Sequence, residues 1–317
     1  MTVAVVDIGT NTILLLVARL RPDGTLVPIR HEQRIPRLGQ GVDSRGALHA
    51  ESIQRAVEVL REYRSLIEPW GVERTVLCGT SAVRDASNRA EFIDRVKEAT
   101  GFTVEVLSGE EEALWTYRGA VSGVPGITRG TVIDIGGGST EISVGDRTVL
   151  RAKVSLNIGS VRLTERFLRH DPPLPREIAE AREAVTRELA ATRDFPFGGS
   201  IAIAVAGTAT TLSLLAQGLK AFDIRAVTNS PLSYDTVEHL FRTLRQMPSA
   251  MIREMSEVME GRADIITAGA MILREVMRHS GFDEVVVSER GVRYGLALRE
   301  LQRSRSPGVV SEKPAPG

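Results

Sequence analysis

Residues 132–141 read Val132-Ile-Asp-Ile-Gly-Gly-Gly-Ser-Thr-Glu141, an apolar strand that runs into three glycines, two hydroxyl residues and an acid. Three consecutive glycines remove every Cβ from the turn, so its backbone N–H groups can approach an anion closely. Asp134 stands at the end of the strand, where a carboxylate can hold a divalent cation or a water beside that anion. A tight hairpin turn with a surface acid would give the same letters, so this stretch alone leaves both interpretations open.

A second copy of the pattern lies at the N-terminus of the chain. It reads Val3-Ala-Val-Val-Asp-Ile-Gly-Thr-Asn-Thr12, again an apolar strand, Asp-Ile-Gly and small polar residues. Each copy continues as a second strand, a turn and a third strand. Two such units about half a chain apart indicate an internal duplication. We therefore expect two loops that face each other across a cleft and grip a phosphate chain from both sides.

The order of elements in both halves is three strands followed by helices that alternate with further strands. This order predicts an α/β protein with two domains of similar core. The crossover between them is expected at Ser122-Gly-Val-Pro-Gly126. The predicted N-terminal domain spans residues 1–124 and the C-terminal domain spans 125–303, whose last helix could pack back on the first domain. Residues 304–317 have no apolar face, and we expect a disordered tail there.

Two further segments are candidates for chemistry. Gly207-Thr-Ala-Thr-Thr-Leu212 follows an apolar strand and opens a helix, whose N-terminal N–H groups can hold an anion. Ser108-Gly-Glu-Glu-Glu112 opens another helix, in which Ser108 and Glu111 have the spacing of a capping box. Capping does not account for Glu112, which is either a solvated helix charge or a functional acid.

The composition of the chain indicates where the protein is located and which classes of partner it can have. The 317 residues are 42% hydrophobic and 25% charged, which is typical of a soluble globular protein. No apolar run approaches the roughly 18–20 residues that span a membrane, and no signal-peptide pattern is present. We therefore expect a cytoplasmic protein with no membrane partner. A net charge of zero gives no indication of nucleic-acid binding. The single Cys78 excludes an internal disulfide.

Six motifs in this order resemble the exopolyphosphatase/guanosine pentaphosphate phosphohydrolase (Ppx/GppA) family. They are Asp7-Ile-Gly-Thr-Asn-Thr12, Gly79-Thr-Ser-Ala-Val-Arg84, Ser108-Gly-Glu-Glu-Glu-Ala113, Asp134-Ile-Gly-Gly-Gly-Ser-Thr-Glu141, Gly207-Thr-Ala-Thr-Thr-Leu212 and Ser288-Glu-Arg-Gly-Val-Arg-Tyr-Gly295. The resemblance implies two actin-like ATPase (ribonuclease H-like) domains with the active site in the cleft between them. It also implies hydrolysis of phosphoanhydride bonds, usually with Mg²⁺.

The same resemblance implies roles for individual residues. Glu112, the last Glu of its motif, would be the general base that activates water. Asp134 and Glu141 would hold Mg²⁺, with Asp7 as a further candidate through a metal-bound water. Arg84 would bind a non-bridging phosphate oxygen, unless it pairs locally with the acid that follows it or with a neighbouring helix. The phosphates would be cradled by Thr10, Asn11, Gly136, Gly137, Gly138, Ser139, Gly207 and Thr208.

The resemblance leaves the substrate open between inorganic polyphosphate and guanosine pentaphosphate. Leu14 stands where the family often has His or Arg, a residue linked to guanosine nucleotides, and this favours polyphosphate. Long members add helical domains after about residue 300, so we expect short polyphosphate chains or another phosphoanhydride as the substrate here. Dimers are common in the family, so a second copy of the chain is a candidate partner.

Two functions of other classes remain as alternatives. An actin-fold kinase would share the fold and both phosphate loops, but the Ser-Gly-Glu-Glu-Glu segment argues against it. A non-catalytic sensor of polyphosphate or nucleotide alarmones would bind without turnover, and the intact Glu112 argues against that.

Overall fold

The computed structural model describes residues 1–23, 25–147 and 149–305. The elements of the first half are β1 (Thr2–Ile8), β2 (Ile13–Leu20), β3 (Leu26–Arg34), α1 (Val42–Arg45), α2 (Ala50–Ile67), β4 (Arg74–Gly79), α3 (Ser81–Asp85), α4 (Arg89–Thr100), β5 (Val104–Val106) and α5 (Gly109–Val121). Those of the second half are β6 (Arg129–Ile135), β7 (Thr140–Asp146), β8 (Leu150–Leu156), α6 (Ser160–Phe167), α7 (Pro175–Leu189), β9 (Ile201–Val205), α8 (Ala206–Ala216), α9 (Ile224–Val227), β10 (Ser230–Ser233), α10 (Tyr234–Leu244), α11 (Ser249–Glu254), α12 (Ile266–Ser280), β11 (Glu284–Val287) and α13 (Val292–Arg305).

The two sheets repeat one strand order. The first sheet runs β3-β2-β1-β4-β5, and the second runs β8-β7-β6-β9-β11 with β10 added at its edge. The first three strands of each sheet pair antiparallel, and the next two pairs are parallel. The pairs β2–β3 and β7–β8 also shift register at equivalent places, Val17/Ala18 and Val144/Gly145. This repeated topology confirms the duplication and the two actin-like ATPase domains.

Helices cover both faces of each sheet, which explains why the central strands are apolar throughout. In the first sheet, one face of β1 and β2 packs against α2 and α4, and the other face packs against α13. In the second sheet, one face of β6 and β9 packs against helices that include α8 and α12, and the other face packs against α5. The carboxyl ends of β1 and β6 point towards the cleft where the predicted loops meet.

Helices α5 and α13 join the two halves. In sequence, α5 lies within the predicted domain 1–124, yet its Tyr117 and Val121 pack against Val132 and Ile203 of the second sheet. At the other end of the chain, α13 contacts β1 and β2 of the first sheet. Each half therefore contributes one helix that packs against the sheet of the other half.

Glycines allow the backbones of α5 and α13 to come into direct contact. A Cβ on Gly119 would lie 2.1 Å from the carbonyl oxygen of Gly291, and a Cβ on Gly295 would lie 1.9 Å from that of Trp115. Real Cβ atoms do not come so near to another atom, so any larger residue at these positions would separate the helices.

The C-terminal end of α13 extends into the segment expected to be a tail. Ser304 and Arg305 are its last residues, and residues 306–317 of the expected tail lie outside the described part of the chain. Within the described residues, we find no helix with the length and hydrophobicity that crossing a bilayer requires.

Candidate active site

A cleft with a cavity volume of about 180 Å³ lies between the two halves, at the carboxyl ends of β1 and β6. Most of the site residues that were predicted from the sequence line this cleft. They are Asp7, Thr10, Asn11, Glu112, Asp134, Gly136, Gly137, Gly138, Ser139, Gly207 and Thr208. The two remaining candidates, Arg84 and Glu141, are not among the residues that line it.

Hydrogen bonds to its carbonyl oxygens hold the turn after β1 in a conformation that can present its N–H groups. The carbonyl of Thr10 accepts a hydrogen bond from the N–H of Gly39 at 2.7 Å, and that of Asn11 accepts from the N–H of Arg37 at 3.1 Å. Within the described residues, we find no protein acceptor for the N–H groups of Thr10 and Asn11. These donors remain available to an anion in the cleft.

The glycine turn after β6 is held in the same way by the start of α6. The N–H groups of Ser160 and Val161 donate to the carbonyls of Gly136 and Gly137, both at 2.9 Å. For the N–H groups of residues 137–139, no acceptor is found in the part of the chain that the structure describes. Both copies of the motif therefore turn backbone donors towards one cleft, as the duplication predicts.

The glycines of the second turn also permit the two halves to touch. A Cβ on Gly137 would lie 2.9 Å from the Cβ of Thr10, and a Cβ on Gly138 would lie 2.4 Å from Oγ of Ser81. Thr10 and Ser81 belong to the first half. Glycine is therefore needed at these positions for two reasons. The sequence suggested the first, access for an anion, and the close approach of the opposite half is the second.

Glu112 occupies the first full turn of α5 and lines the cleft. The capping box of Ser108 and Glu111 is present, as predicted. Glu112 itself is only 8% exposed, which excludes a solvated helix charge. Burial, and next the neighbouring Glu141, raise the pKa of Glu112 well above its usual value, although Arg84 opposes them.

Arg84 contacts this carboxylate rather than lining the cleft. Its Nη1 donates to Oε2 of Glu112 at 2.8 Å and to the carbonyl of Leu107 at 3.1 Å. Its Nε lies 3.8 Å from Oδ1 of Asp85, the local partner considered above. The helices α3 and α5 begin at the carboxyl ends of the adjacent strands β4 and β5, which brings Arg84 to Glu112. Arg84 thus pairs with the neighbouring helix α5, one of the alternatives considered above, and its contact with a phosphate oxygen stays a prediction.

Three more carboxylates lie around the cleft, of which Asp134 and Glu141 are buried and Asp7 is half-buried. Asp134 and Glu141 face each other on β6 and β7, and Asp7 holds the position on β1 that corresponds to Asp134. Burial is the largest cause that raises their pKa values, to about 6 for Asp134, about 8 for Glu141 and about 7 for Asp7. Hydroxyl groups donate to two of them, Thr116 to Asp134 at 3.1 Å and Ser155 to Glu141 at 2.6 Å.

This set of donors suits a hard divalent cation. Mg²⁺ prefers oxygen ligands and usually combines one or two carboxylates with waters and substrate phosphates. Among the described residues, no group of three His, Cys, Asp or Glu side chains is arranged to hold a metal ion alone. Asp7 and Asp134 line the cleft, whereas Glu141 is hydrogen-bonded to Ser155 behind it. A bound Mg²⁺ would therefore rely on water and substrate oxygens for the rest of its shell.

The start of α8, the third predicted anion site, also reaches the cleft. Gly207 and Thr208 lie in its first turn, and the helix begins one residue earlier than expected, at Ala206. Ala206 has a φ of 68°, a left-handed conformation that costs free energy for a residue with a Cβ. Arg262 lies beside this turn, and its Nη1 donates to the carbonyl of Gly207 at 3.1 Å.

Two cleft arginines were not nominated from the sequence. Arg262 is 8% exposed, and burial lowers its pKa to about 10. Its Nε has no hydrogen-bond partner among the residues that the structure describes. Arg293 is 9% exposed, and its charge partly offsets the effect of burial on the pKa of Asp7. Arg293 belongs to the motif at 288–295, which was the available signal. Arg262 lies in a segment without a recognisable pattern.

The chain was compared with known proteins. Residues 16–304 match the model of the Ppx/GppA phosphatase family. Exopolyphosphatase 2 of Mycobacterium tuberculosis is 38% identical over 315 residues, which cover 93% of this chain and 97% of that protein. A solved exopolyphosphatase-like protein has a TM-score of 0.92 at 34% identity, covering 96% of this chain and 99% of that one. An Aquifex aeolicus member of the Ppx/GppA family has a TM-score of 0.81 at 32% identity, with the same coverage.

Proposed function

The chain belongs to the Ppx/GppA phosphatase family, and on that premise we propose that it is an exopolyphosphatase, which releases terminal orthophosphate from inorganic polyphosphate. The observation that carries the proposal is the position of Glu112. This buried carboxylate lines a cleft whose opposite walls are two turns with available N–H donors. A base and a site for the terminal phosphate are thereby close together.

Glu112 would act as the general base. Arg84 binds its Oε2, and we assign Oε1 to the attacking water. In its ionised form, a carboxylate of raised pKa is a stronger base than an ordinary one, and a fixed water in line with phosphorus has a lower barrier to attack. The turns at 10–12 and 137–139 would hold the non-bridging oxygens of the phosphate, and Arg262 would add positive charge at the start of α8.

Mg²⁺ would be held by Asp134 and Asp7, with Glu141 beside them. When bound, the cation would offset the negative charge of the transferring phosphoryl group. The support for this assignment is a group of carboxylates whose pKa values are raised by burial. The Mg²⁺ requirement, the cytoplasmic location and a homodimer stay predictions.

The test compares Glu112→Gln with Glu110→Gln on purified protein. Glu110 is on the same turn of α5 but is solvent-exposed, and it pairs with Lys153 at 3.2 Å. We expect Glu112→Gln to lower kcat by about 100-fold or more, since water loses its base, and Glu110→Gln to stay within about twofold. Phosphate release is measured on polyphosphates of graded length, with and without Mg²⁺. Near-normal activity of Glu112→Gln would exclude the mechanism.

Guanosine pentaphosphate is the second candidate substrate, and Phe222 favours it. This side chain is 53% exposed at the wall of the cleft, where Ile265 adds further apolar surface. A flat base can stack on such a ring, whereas bare polyphosphate gains nothing from it. Phe222→Ala should raise KM for guanosine pentaphosphate about tenfold and leave polyphosphate hydrolysis unchanged. Side-by-side assays of both substrates decide which one is preferred.

A further inference from the structure

Arg162 of α6 binds to both halves of the protein at once. Its Nε donates to the carbonyl of Gly138 at 2.6 Å, within the glycine turn of the second half. Its Nη1 donates to Asp43, and its Nη2 donates to Oδ2 of Asp85 at 2.5 Å. Asp43 and Asp85 belong to the first half. The side chains of Arg162 and Asp43 are only 13% and 14% exposed, whereas that of Asp85 is 32% exposed.

The hydrogen bond from Arg162 to Gly138 is the third one that holds a carbonyl of the glycine turn. The carbonyls of Gly136 and Gly137 are bonded by backbone N–H groups of α6, which a side-chain substitution would leave in place. For the carbonyl of Gly138, the donor is the side chain of Arg162. The orientation of the peptide that follows Gly138 therefore depends on one guanidinium, and so does the direction of the N–H of Ser139.

One of the two acids that bind Arg162, Asp85, also lies near Arg84, which binds Glu112. Oδ1 of Asp85 lies 3.8 Å from Nε of Arg84, and Nη1 of Arg84 lies 2.8 Å from Oε2 of Glu112. Alternating charges thus connect the phosphate turn of one half with the acid in the first turn of α5. This line of contacts requires Asp85 to lie close to Arg162 of α6.

We propose that Arg162 is a positioning residue that couples the closure of the two halves to the geometry of the glycine turn and of Glu112. When the halves approach, Asp43 and Asp85 fix the guanidinium, and the guanidinium fixes Gly138. When they separate, the two acids regain water and the turn loses its third support. This inference rests on the proposed function, because it assigns the turn to phosphate and Glu112 to water.

Arg166 supplies a matched control. It lies one turn further along α6 and binds the same Asp43, but its side chain is 46% exposed, and we find no contact with Gly138 in the described part of the chain. Replacing either arginine by lysine keeps the charge and removes the fork of directional donors. Only Arg162→Lys therefore disturbs the turn, whereas both variants weaken the ion pairs with Asp43.

The experiment measures kcat and KM on a short polyphosphate for wild type, Arg162→Lys, Arg166→Lys and Asp85→Asn. We expect kcat of Arg162→Lys to fall about tenfold or more with a smaller change in KM, and Arg166→Lys to stay within about twofold. Asp85→Asn, which keeps the shape of the side chain, should also lower kcat. Thermal unfolding checks that each variant is folded. Equal kcat values for the two lysine variants would overturn the inference.

Hydrogen exchange gives a readout that does not depend on activity. The amide of Gly136, which donates to the carbonyl of Ser139 at 3.0 Å within the turn, should exchange faster in Arg162→Lys than in wild type, and Arg166→Lys should match wild type there. Unchanged exchange in Arg162→Lys contradicts the positioning role, whatever the substrate is. A wild type that releases no phosphate, together with the expected exchange pattern, would instead count against the proposed function alone.

Discussion

Asp134 is a buried carboxylate for which we find no counter-ion at hydrogen-bond distance among the described residues. Its hydrogen-bond donor is the hydroxyl of Thr116, and its pKa of about 6 reflects the cost of ionising a buried acid. A shift of this size corresponds to roughly 2–3 kcal/mol of lost stability at pH 8. Such a cost is expected where a site is built for a cation and not for stability.

Asp134→Asn should therefore raise the stability of the metal-free protein. We expect a gain of about 2 kcal/mol at pH 8 in the presence of a chelator, together with loss of phosphate release. Urea unfolding measures the gain. Asp94→Asn, which changes an exposed acid on α4, is the control and should have no effect on either property. Mg²⁺ should stabilise wild type more than Asp134→Asn, and equal stabilisation of both would argue against Asp134 as a ligand.

His31 gives the protein a predictable response to acid. Its ring is partly buried beside Tyr294, with 3.3 Å between Nε2 and the phenol oxygen. Burial, and then the charge of Arg293, lower the pKa of His31 to about 4, while Glu289 opposes and Arg290 assists. The pKa of His31 is 6.5 in the unfolded chain and about 4 in the folded chain. Between these two pH values the unfolded chain binds a proton that the folded chain does not bind, so the free energy of unfolding falls as the pH falls.

His31→Gln should remove this contribution. Between pH 7 and pH 4.5, wild type should lose about 1–2 kcal/mol more than the variant, a figure reduced because the ring is partly exposed. Urea unfolding at several pH values provides the comparison, and other titrating groups cancel because they are common to both proteins. Parallel pH profiles for the two proteins would show that His31 is not perturbed.

Individual site residues were predictable where the signal is local. Asp7 and Asp134 stand in short repeated motifs, and their neighbours in sequence supply the turns that surround them. Arg162 was not predictable, because its partner Asp43 lies 119 residues away and no local pattern marks either residue. The environment of Arg84 was also beyond the sequence, since the distance to Glu112 depends on how β4 and β5 pair.

At the level of elements, the contact between α5 and α13 is set by Gly295. Its Cβ position lies 1.9 Å from the backbone oxygen of Trp115, which a rotamer change cannot move. Gly295→Ala should destabilise the protein by about 3 kcal/mol or more, although alanine is the better helix former. Gly291→Ala, at the start of the same segment, meets no atom within 4 Å and is the control.

Urea unfolding separates these two glycines. A loss of stability confined to Gly295→Ala is expected, while Gly291→Ala should stay within about 1 kcal/mol of wild type. Equal stability of all three proteins would mean that the helices separate at little cost. The sequence indicated both helices but not this contact, because a periodic pattern shows that a helix has a buried face and not which surface covers it.

At the scale of the whole molecule, the duplication predicted the two sheets, but not how the chain shares helices between them. The repeat is visible because each copy of the motif is contiguous in sequence. The division at residue 124 follows the crossover, yet α5 precedes it and packs on the second sheet. The first sheet is covered instead by α13, whose Leu296 and Ala297 pack against Val3 and Val5. The packing of α13 on the first sheet is the possibility stated from the sequence, whereas the packing of α5 on the second sheet differs from the division at residue 124.

This exchange of helices predicts how fragments behave. Residues 1–124 contain the whole first sheet but lack α13, so the apolar face at Val3, Val5 and Leu16 would be exposed to water, and α5 would have no second sheet to cover. We expect this fragment to aggregate or to unfold without cooperativity. A fusion of residues 1–108, a Gly/Ser linker of about ten residues and residues 288–305 restores the cover, and it should show a cooperative transition in urea. Circular dichroism and amide dispersion compare the two fragments. A cooperative transition for 1–124 alone would show that α13 is not needed for the first domain to fold.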